Sequence, residues 1–500
     1  MFEQMPAPKP WYRSWQGLLF AGGGVAAALL VVLLIYLIGS REDPNTEAHY
    51  AALERHRAEQ QKQAPPADPA LAQTAEQQPA GEQQPAQGEQ AAAGAAQGEA
   101  SAAQPGSQPA AQGRARRNYW TQFRGPARDG RYDERPVKTD WPSGGLAPLW
   151  RQPIGGGYSS FSVADGVAYT IEQRRSQEVV TAYQVETGRE LWAHGWNAVF
   201  REQTGDGPRS TPTWDSGRLY ALGATGELRC LDARSGRPIW SKNILTENGA
   251  SNLQWGMAAS PLVVDDKVVV MPGGSNGRTV VAYDKATGAL RWKSMSGAAS
   301  YTSPMLVTLA GRRQILVVTG GQVAGLAPED GAVLWGFPWS NSAGINVSQP
   351  IVAGPNRFFI SAGYGKGAAL VEVSPAGRGL SARAVWESPR MKNKFNSSVL
   401  HDGHVYGLDE GVLSCMELAT GEVKWKARGY GYGQVVLASG HLIITTEEGE
   451  VALVRAAPGA HAEVARFSAL EGRTWNVPAI ADGRLLVRNA TQMACYKLAD

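Results

Sequence analysis

Eight residues that carry an aromatic ring, a cationic head or an amide recur roughly 40 to 50 residues apart in the second two thirds of the chain. Each stands in a polar loop that leads into a short apolar run, and the eight are Tyr158, Arg209, Trp255, Tyr301, Asn346, Lys394, Tyr432 and Trp475. Rings combined with cations are typical of ligand and partner sites. If the fold gathers these loops on one face, we expect a binding funnel there, with Arg209, Trp255 and Tyr301 as its strongest anchors.

The chain offers little for covalent or metal chemistry. No histidine stands in an HExxH motif or beside a GxSxG nucleophile motif, and no C-x-x-C-H haem motif occurs. A calcium ion needs about six to eight oxygen ligands, and no D-x-D-x-D loop supplies them. The residues therefore predict no catalytic group and no metal site.

The elements that must carry these loops are short strands in a repeat. The stretch AYDKATGALRW, which ends at Trp292, has near copies that end at Trp192, Trp240 and Trp425. Each unit contains four apolar runs separated by turn pairs such as Asp-Gly and Thr-Gly, which predicts four antiparallel strands per period. The glycine suits a hairpin that needs positive φ, and the tryptophan is expected to cover the turn of the next unit. This pattern is typical of a β-propeller blade.

Two counts give the number of blades. The outer-strand positions are Trp150, Trp192, Trp240, Trp292, Trp335, Trp386, Trp425 and the degenerate Phe467. The first strands begin near Ser159, Ser210, Ala259, Thr302, Ser348, Ser397, Gln434 and Asn476. Both counts predict an all-β, eight-bladed propeller over residues 148 to 500.

Ring closure follows from the two ends of this region. The strand PLWRQPI, residues 148 to 154, precedes the first blade, and the last unit lacks an outer strand. We predict that the N-terminal strand completes the last blade, because an open array would expose sheet edges. Cys230, Cys415 and Cys495 take the slot that alanine fills in other units, which predicts small buried thiols rather than disulfides.

These repeats resemble the pyrroloquinoline quinone (PQQ) repeat superfamily, whose docking motif A-x-D-x-x-T-G-x-x-x-W is nearly intact in AYDKATGALRW. The resemblance covers residues 118 to 500 and implies the propeller fold. It implies two different functions: quinoprotein dehydrogenases that oxidise alcohols or sugars with PQQ and Ca²⁺, and non-enzymatic scaffolds similar to BamB, a propeller lipoprotein of outer-membrane β-barrel assembly. The segment NYWTQFRGPARDGRYDE, residues 118 to 134, also resembles a lead-in of bacterial PQQ-like propellers, and we expect Trp120 and Phe123 to pack against one end of the ring.

Several residues depart from the dehydrogenase pattern. The resemblance implies an adjacent Cys-Cys pair, and no two cysteines here are neighbours. It also implies calcium ligands and an aspartate base, for which Glu172 and Asp409 could be nominated without a matching motif. Three interpretations of the funnel stay open: a surface that recognises a protein or peptide, a structural funnel without a ligand, and a site for PQQ or another cofactor.

The N-terminal region predicts a membrane anchor. Residues 17 to 39 form an uncharged apolar run long enough to span a bilayer, for which about 20 residues suffice. A cleaved signal peptide is the alternative, but its apolar part is only about 7 to 15 residues long. We expect residues 1 to 16 to be a short cytoplasmic tail, which is a mild positive-inside prediction. Residues 40 to 117, rich in Ala, Gln and Pro, predict a disordered tether, although residues 42 to 60 could form a short polar helix. Residues 118 to 147 are the lead-in segment.

The sequence therefore predicts a single-pass inner-membrane protein with an exported, monomeric propeller that acts as a protein-interaction scaffold without catalytic activity. The alternative is a PQQ-dependent oxidoreductase. The net charge of +3 on 500 residues is too small to suggest binding of nucleic acid.

Overall fold

A computed structural model describes residues 44–63, 118–142, 144–377 and 379–499. Within these ranges, 33 β-strands form eight sheets. The chain divides into two units after Arg55, a point that lies inside helix α1 (Pro44–Gln63). The unit from His56 onward contains the last turns of α1 and all eight sheets, so the predicted eight-bladed β-propeller is confirmed.

The first four blades follow one another along the chain, each with its first strand innermost and its fourth strand outermost. Their strands are, for blade 1, β3 (Ser162–Ala164), β4 (Val167–Arg174), β5 (Gln177–Gln184) and β6 (Glu190–Asn197); for blade 2, β7 (Thr213–Asp215), β8 (Arg218–Leu222), β9 (Glu227–Asp232) and β10 (Pro238–Asn243); for blade 3, β11 (Leu262–Val264), β12 (Lys267–Val270), β13 (Val280–Asp284) and β14 (Leu290–Ser294); and for blade 4, β15 (Met305–Leu309), β16 (Arg312–Val318), β17 (Gln322–Leu326) and β18 (Val333–Pro338). A short helix, α2 (Ile244–Asn248), joins blades 2 and 3.

The last four blades include the ring closure. Their strands are, for blade 5, β19 (Ile351–Val352), β20 (Arg357–Ala362), β21 (Gly367–Ala376) and β22 (Gly379–Ser388); for blade 6, β23 (Val399–His401), β24 (His404–Asp409), β25 (Val412–Glu417) and β26 (Val423–Ala427); for blade 7, β27 (Gln434–Ala438), β28 (His441–Thr445), β29 (Glu450–Arg455) and β30 (Glu463–Ser468); and for blade 8, β31 (Ala479–Ala481), β32 (Arg484–Arg488), β33 (Gln492–Lys497) and, from the N-terminal side, β2 (Pro148–Pro153). Strand β2 pairs antiparallel with β33 and places Trp150 opposite Cys495. The predicted closing strand is confirmed.

The repeated tryptophans join neighbouring blades. Trp292, for example, lies opposite Ala282 within its own blade, and its indole N–H donates to the carbonyl of Pro328 in the next blade at 3.1 Å. The same contact recurs in the described chain at Trp150, Trp192, Trp240, Trp386 and Trp425, each of which donates to a carbonyl in the following blade. The turn glycine is required by this packing: a Cβ on Gly288, whose φ is +73°, would lie 2.9 Å from the Trp240 ring.

Two outer-strand residues depart from this pattern, and the next blade explains both. Trp335 donates instead to the side chain of Gln314 in its own blade at 2.5 Å, because the β21–β22 hairpin of blade 5 is ten residues long on each side and turns far from Trp335. Phe467 faces blade 8. The outer strand of that blade is β2, which no hairpin joins to β33, so there is no turn carbonyl to accept an indole N–H. Phe467 packs against Tyr496 and Trp141.

A belt of side-chain hydrogen bonds links the first strands of the blades. From blade 1 to blade 6, a backbone N–H of each blade donates to a side-chain oxygen of the next, in the order Ser160, Thr211, Ser260, Ser303, Gln349 and Ser397, over 2.7 to 3.0 Å. Gln434 and Asn476 continue the belt, since their amide groups donate to backbone carbonyls of the adjacent blades. These bonds satisfy backbone groups that the crowded channel would otherwise leave unpaired.

The lead-in segment lies deeper than the sequence suggested. Trp120 is fully buried in a core shared with blades 1, 7 and 8. Strand β1 (Arg131–Tyr132) adds to the inner edge of β27 in parallel, opposite Leu437 and Ala438 at the end of that strand. The leading loops join the opposite end of the first strands, so the segment reaches the channel from the face away from these loops.

Two arginines of this segment fill the channel. The Arg128 guanidinium donates to the carbonyls of Ser260 at 3.0 Å and Pro304 at 2.8 Å, in blades 3 and 4. The Arg124 guanidinium donates to Ser398 at 3.0 Å and Val435 at 3.2 Å, in blades 6 and 7. Burial lowers the pKa of Arg128 to about 9 and that of Arg124 to about 10, which still leaves both charged at neutral pH. The backbone carbonyls of opposite blades thus hold two buried cations on the axis.

The predicted membrane span, residues 17 to 39, and most of the predicted tether lie outside the described residues. In the part of the chain that the structure describes, no helix has the length and apolar character needed to cross a bilayer. Helix α1 falls within the range predicted as a disordered tether and matches the polar helix expected near residues 42 to 60.

Candidate functional site

The leading loops, each of which precedes the first strand of a blade, surround a cavity of about 460 Å³ at one end of the channel. We call this space the axial cavity. Its lining comes from every blade and from the lead-in segment: Phe123, Tyr158, Thr204, Arg209, Trp255, Ala258, Tyr301, Val347, Tyr364, Lys394, Phe395, Ser397, Tyr432, Gln434, Glu447, Trp475 and Val477. Its volume falls within the range of about 300 to 1,000 Å³ that is usual for ligand pockets.

Seven of the eight sequence-predicted funnel residues lie together in this lining. They are Tyr158, Arg209, Trp255, Tyr301, Lys394, Tyr432 and Trp475. Asn346 does not reach the cavity: it is buried, and its amide donates to the carbonyl of Thr319 at 2.8 Å. The next residue, Val347, lines the cavity in place of Asn346. A role in binding stays a prediction for all of them, but the sequence spacing does bring the seven together.

Aromatic rings form two walls of the axial cavity. On one side Phe395 lies 4.7 Å from Trp475 and 5.1 Å from Tyr432, measured between ring centres, and Tyr158 stacks on Trp475 at 5.8 Å. Trp255 and Tyr301, 5.5 Å apart, form a second aromatic pair. These rings stay partly exposed to the cavity. Such surfaces favour apolar or planar groups of a ligand.

The guanidinium of Arg209 is engaged with the loop beside the axial cavity. This group lies 4.5 Å from the centre of the Phe200 ring and donates to the carbonyls of Gly205 and Gly207. Burial lowers its pKa, against the attraction of nearby anionic groups. Arg209 therefore braces the loop of residues 200 to 208, and its role as a binding anchor stays a prediction.

Lys394 is the cation that remains available. Its ammonium lies 5.2 Å from the centre of the Tyr432 ring and 5.6 Å from that of Tyr364. Among the described residues, this ammonium has no hydrogen bond or ion pair to a protein group. Cation–π contacts of this kind hold the side chain over the cavity without neutralising its charge.

The carboxylate of Glu447 is already engaged. One of its oxygens accepts the indole N–H of Trp475 at 3.0 Å, and the other accepts the backbone N–H of Tyr432 at 3.1 Å. Glu447 thus fixes two rings of the aromatic wall. At the rim, Arg473 lies over the Trp475 ring at 4.2 Å and donates to the hydroxyl of Tyr158 and the carbonyl of Thr204, which links blade 8 to the blade 1–2 loop.

Several lining residues were not predicted from the sequence. Phe395 follows Lys394 directly, and a search that took every aromatic residue of the leading loops would have found it. Tyr364 lies between the second and third strands of blade 5, in a loop that carries no repeat signal. Phe123 belongs to the lead-in segment, and only the path of that segment through the channel places it in the lining.

The two carboxylates that could be nominated for quinoprotein chemistry lie outside the axial cavity. Glu172 is fully buried and bonded to Arg57 and Arg174. Asp409 forms an ion pair with Lys426 at 2.7 Å. Within the described ranges, no group of three or more His, Cys, Asp or Glu side chains is arranged to hold a metal ion.

Comparison with known proteins places the repeat in a family. The family model described as "Outer membrane protein assembly factor BamB" matches residues 175–427, half of the chain. The chain belongs to this family. BamB of Burkholderia pseudomallei is 32% identical over 148 residues, which are 29% of this chain and 33% of that protein. BamB of Yersinia pestis is 21% identical over 295 residues, 56% of this chain and 71% of that protein.

A second kind of relative shares part of the BamB-family repeat. The quinohemoprotein alcohol dehydrogenase ADH IIB of Pseudomonas putida is 32% identical over 136 residues, which are 26% of this chain and 19% of the dehydrogenase. The match with the first BamB relative also spans only about a third of that protein. The PQQ-like superfamily expected from the docking motif is therefore confirmed, and the relatives of this chain include both BamB proteins and an alcohol dehydrogenase.

Proposed function

We propose that this BamB-family chain is a protein-interaction scaffold of the cell envelope, without catalytic activity, and that the axial cavity and its rim are its recognition surface. The family description and the BamB relatives favour an envelope protein that works through protein contacts. The predicted anchor at residues 17 to 39 would hold the propeller at the inner membrane on the extracytoplasmic side.

The observation that carries the proposal is the composition of the axial cavity. Aromatic side chains from several blades converge there and remain partly exposed, and two of the cations expected from the sequence lie among them. Aromatic side chains and arginine are enriched at surfaces that recognise proteins. The belt of hydrogen bonds below the cavity gives the loops a rigid base, so the surface is preorganised for a partner.

Site-specific photocrosslinking in cells tests this function. A photoreactive phenylalanine derivative replaces Tyr432 in the lining or, as a matched control, His404, the first residue of β24, at the opposite end of blade 6. We expect the Tyr432 position to crosslink one defined envelope protein and the His404 position not to do so. Adding Trp255→Ala and Tyr301→Ala should lower the Tyr432 crosslink at least fivefold, since both rings belong to the lining.

Equal crosslinking from both faces, or an undiminished crosslink in the double variant, would move the interface away from the axial cavity. Arg209 is a poor choice for this test, because its loss would disturb the loop of residues 200 to 208 whatever the partner does. The double variant keeps that brace intact.

The dehydrogenase alternative meets a chemical difficulty in the residues of the axial cavity. A calcium ion would need about six to eight oxygen ligands, whereas the lining offers one carboxylate, Glu447, that is engaged with Trp475 and Tyr432. The described residues therefore do not fit a calcium-dependent quinone. Purified protein incubated with PQQ and Ca²⁺ checks this: cofactor absorbance together with dye reduction by simple alcohols would replace the scaffold with an oxidoreductase.

A further inference from the structure

We infer that the axial cavity binds the C-terminal end of a partner polypeptide, with the terminal carboxylate at Lys394 and the last side chain between the aromatic walls. This inference rests on the proposed function and specifies its ligand. It depends on three features of the axial cavity: a closed floor, an excess of positive charge and exposed rings.

The floor of the cavity is closed by the lead-in segment. Phe123 lines the cavity from below. Beneath it the buried guanidinium groups of Arg124 and Arg128 are bonded to carbonyls of opposite blades. A polypeptide therefore cannot pass through the channel, and a cavity of about 460 Å³ admits the end of a chain rather than a folded surface.

The charge of the cavity selects which chain end fits. The lining contains the cations Arg209 and Lys394 against the single carboxylate of Glu447, while outside the lining Arg473 adds a cation and Glu202 an anion near Tyr158. A free α-ammonium group would meet repulsion here, whereas a carboxylate would meet attraction. Lys394 supplies up to three donors, and among the described residues its ammonium has no hydrogen bond or ion pair to a protein group.

The aromatic rings near Lys394 determine which terminal side chain of the ligand is favoured. Tyr364 and Tyr432 hold Lys394 from two sides, and the wall of Phe395 and Trp475 continues from Tyr432. A carboxylate bound at Lys394 would thus place the last side chain of the ligand against rings. An apolar terminal residue buries its surface there, and a terminal glycine does not.

Fluorescence anisotropy with purified full-length protein tests the inference. The probes are fluorescein-labelled pentapeptides that end in leucine, one with a free carboxylate and one with a C-terminal amide, and an amidated peptide with an internal glutamate. We expect the free acid to bind at least tenfold more tightly than either amidated peptide. Lys394→Gln should abolish most of this preference, and Lys394→Arg should retain it.

Lys392→Gln is the matched control, because Lys392 lies two residues away and is paired with Glu410 at 2.7 Å outside the lining. It should bind like the native protein. Equal affinity for acid and amide, loss of preference in Lys392→Gln as well, or no binding of any probe would overturn the chain-end inference. The scaffold function would then still be judged by the crosslink at Tyr432, which requires no chain end.

Discussion

At the scale of single residues, Glu178 on β5 is a buried carboxylate with too few partners. One oxygen accepts the backbone N–H of Ala224 at 2.8 Å, while the other has no hydrogen-bond partner in the described structure. Burial raises the pKa of Glu178 to about 7, despite the hydrogen bond from Ala224. The folded state therefore prefers the protonated carboxyl, whereas the unfolded chain ionises it near pH 4.5.

This preference predicts a pH dependence of stability. Because the folded-state pKa lies above the unfolded value, the contribution of Glu178 is fully present below about pH 4.5 and is lost as the pH rises through 7. Glu178→Gln keeps the acceptor for Ala224 and carries no charge, so at pH 8 it should be more stable than the native protein by on the order of 2 kcal/mol. Thermal unfolding at pH 4.5 and pH 8 measures this. The exposed Glu448→Gln is the control, and an equal gain for Glu178→Gln at both pH values would contradict the assignment.

At the scale of elements, the end of α1 is attached to blade 1 by an ion network. Arg57 pairs with Glu172 at 3.2 Å and with Glu190 at 2.8 Å, and it donates to the hydroxyl of Tyr183 at 2.7 Å. Burial alone would raise the pKa of Glu172, but the guanidinium groups of Arg174 and Arg57 outweigh it and hold that pKa far below its usual range. The last turns of α1, from His56 onward, are thus docked on the propeller.

Removing the Arg57 charge should loosen this element first. Arg57→Gln leaves Arg174 on Glu172, so we expect a loss of about 1 to 3 kcal/mol rather than unfolding. Amide hydrogen exchange should accelerate in residues 57 to 63 and much less in β4 and β5. Arg55→Gln, an exposed position on the same helix, should change neither quantity. If residues 57 to 63 exchange equally fast in the native protein, the docked helix is not formed in solution.

Elements with a repeated pattern were predictable, and those that depend on a single long-range contact were not. The docking motif repeats a small residue, a turn glycine and a tryptophan. Each of them is needed for a hairpin or for its contact with the next blade. The number of strands and the closing role of β2 could therefore be predicted. Arg57 and Glu172 are 115 residues apart, and nothing near either of them indicates the pairing. The same holds for Asn346, whose amide turns inward to Thr319 while Val347 lines the cavity.

At the scale of the whole molecule, Arg124 and Arg128 of the lead-in segment connect the blades at the centre of the ring. The sequence predicted that the lead-in segment covers one end of the propeller, because Trp120 and Phe123 are apolar. It could not show that Arg124 and Arg128 enter the channel, since a buried arginine is rare and is stable only where carbonyls surround it. Those carbonyls lie 132 to 311 residues away from the arginines along the chain and come together around them only in the folded ring.

Replacing Arg128 tests this axial support. Arg128→Met keeps much of the side-chain volume but leaves the carbonyls of Ser260, Pro261 and Pro304 without their donor, which should cost about 3 to 5 kcal/mol. Because these carbonyls precede β11 and β15, amide exchange should rise in the first strands of blades 3 and 4, although their carbonyls lie 132 and 176 residues from Arg128 along the chain. Arg131→Gln, which removes a surface pair with Asp133, should leave both blades unchanged. Destabilisation confined to residues 118 to 134 would show that the lead-in segment only covers the channel, whereas faster exchange in the inner strands of both blades would show that Arg128 stabilises them from the centre.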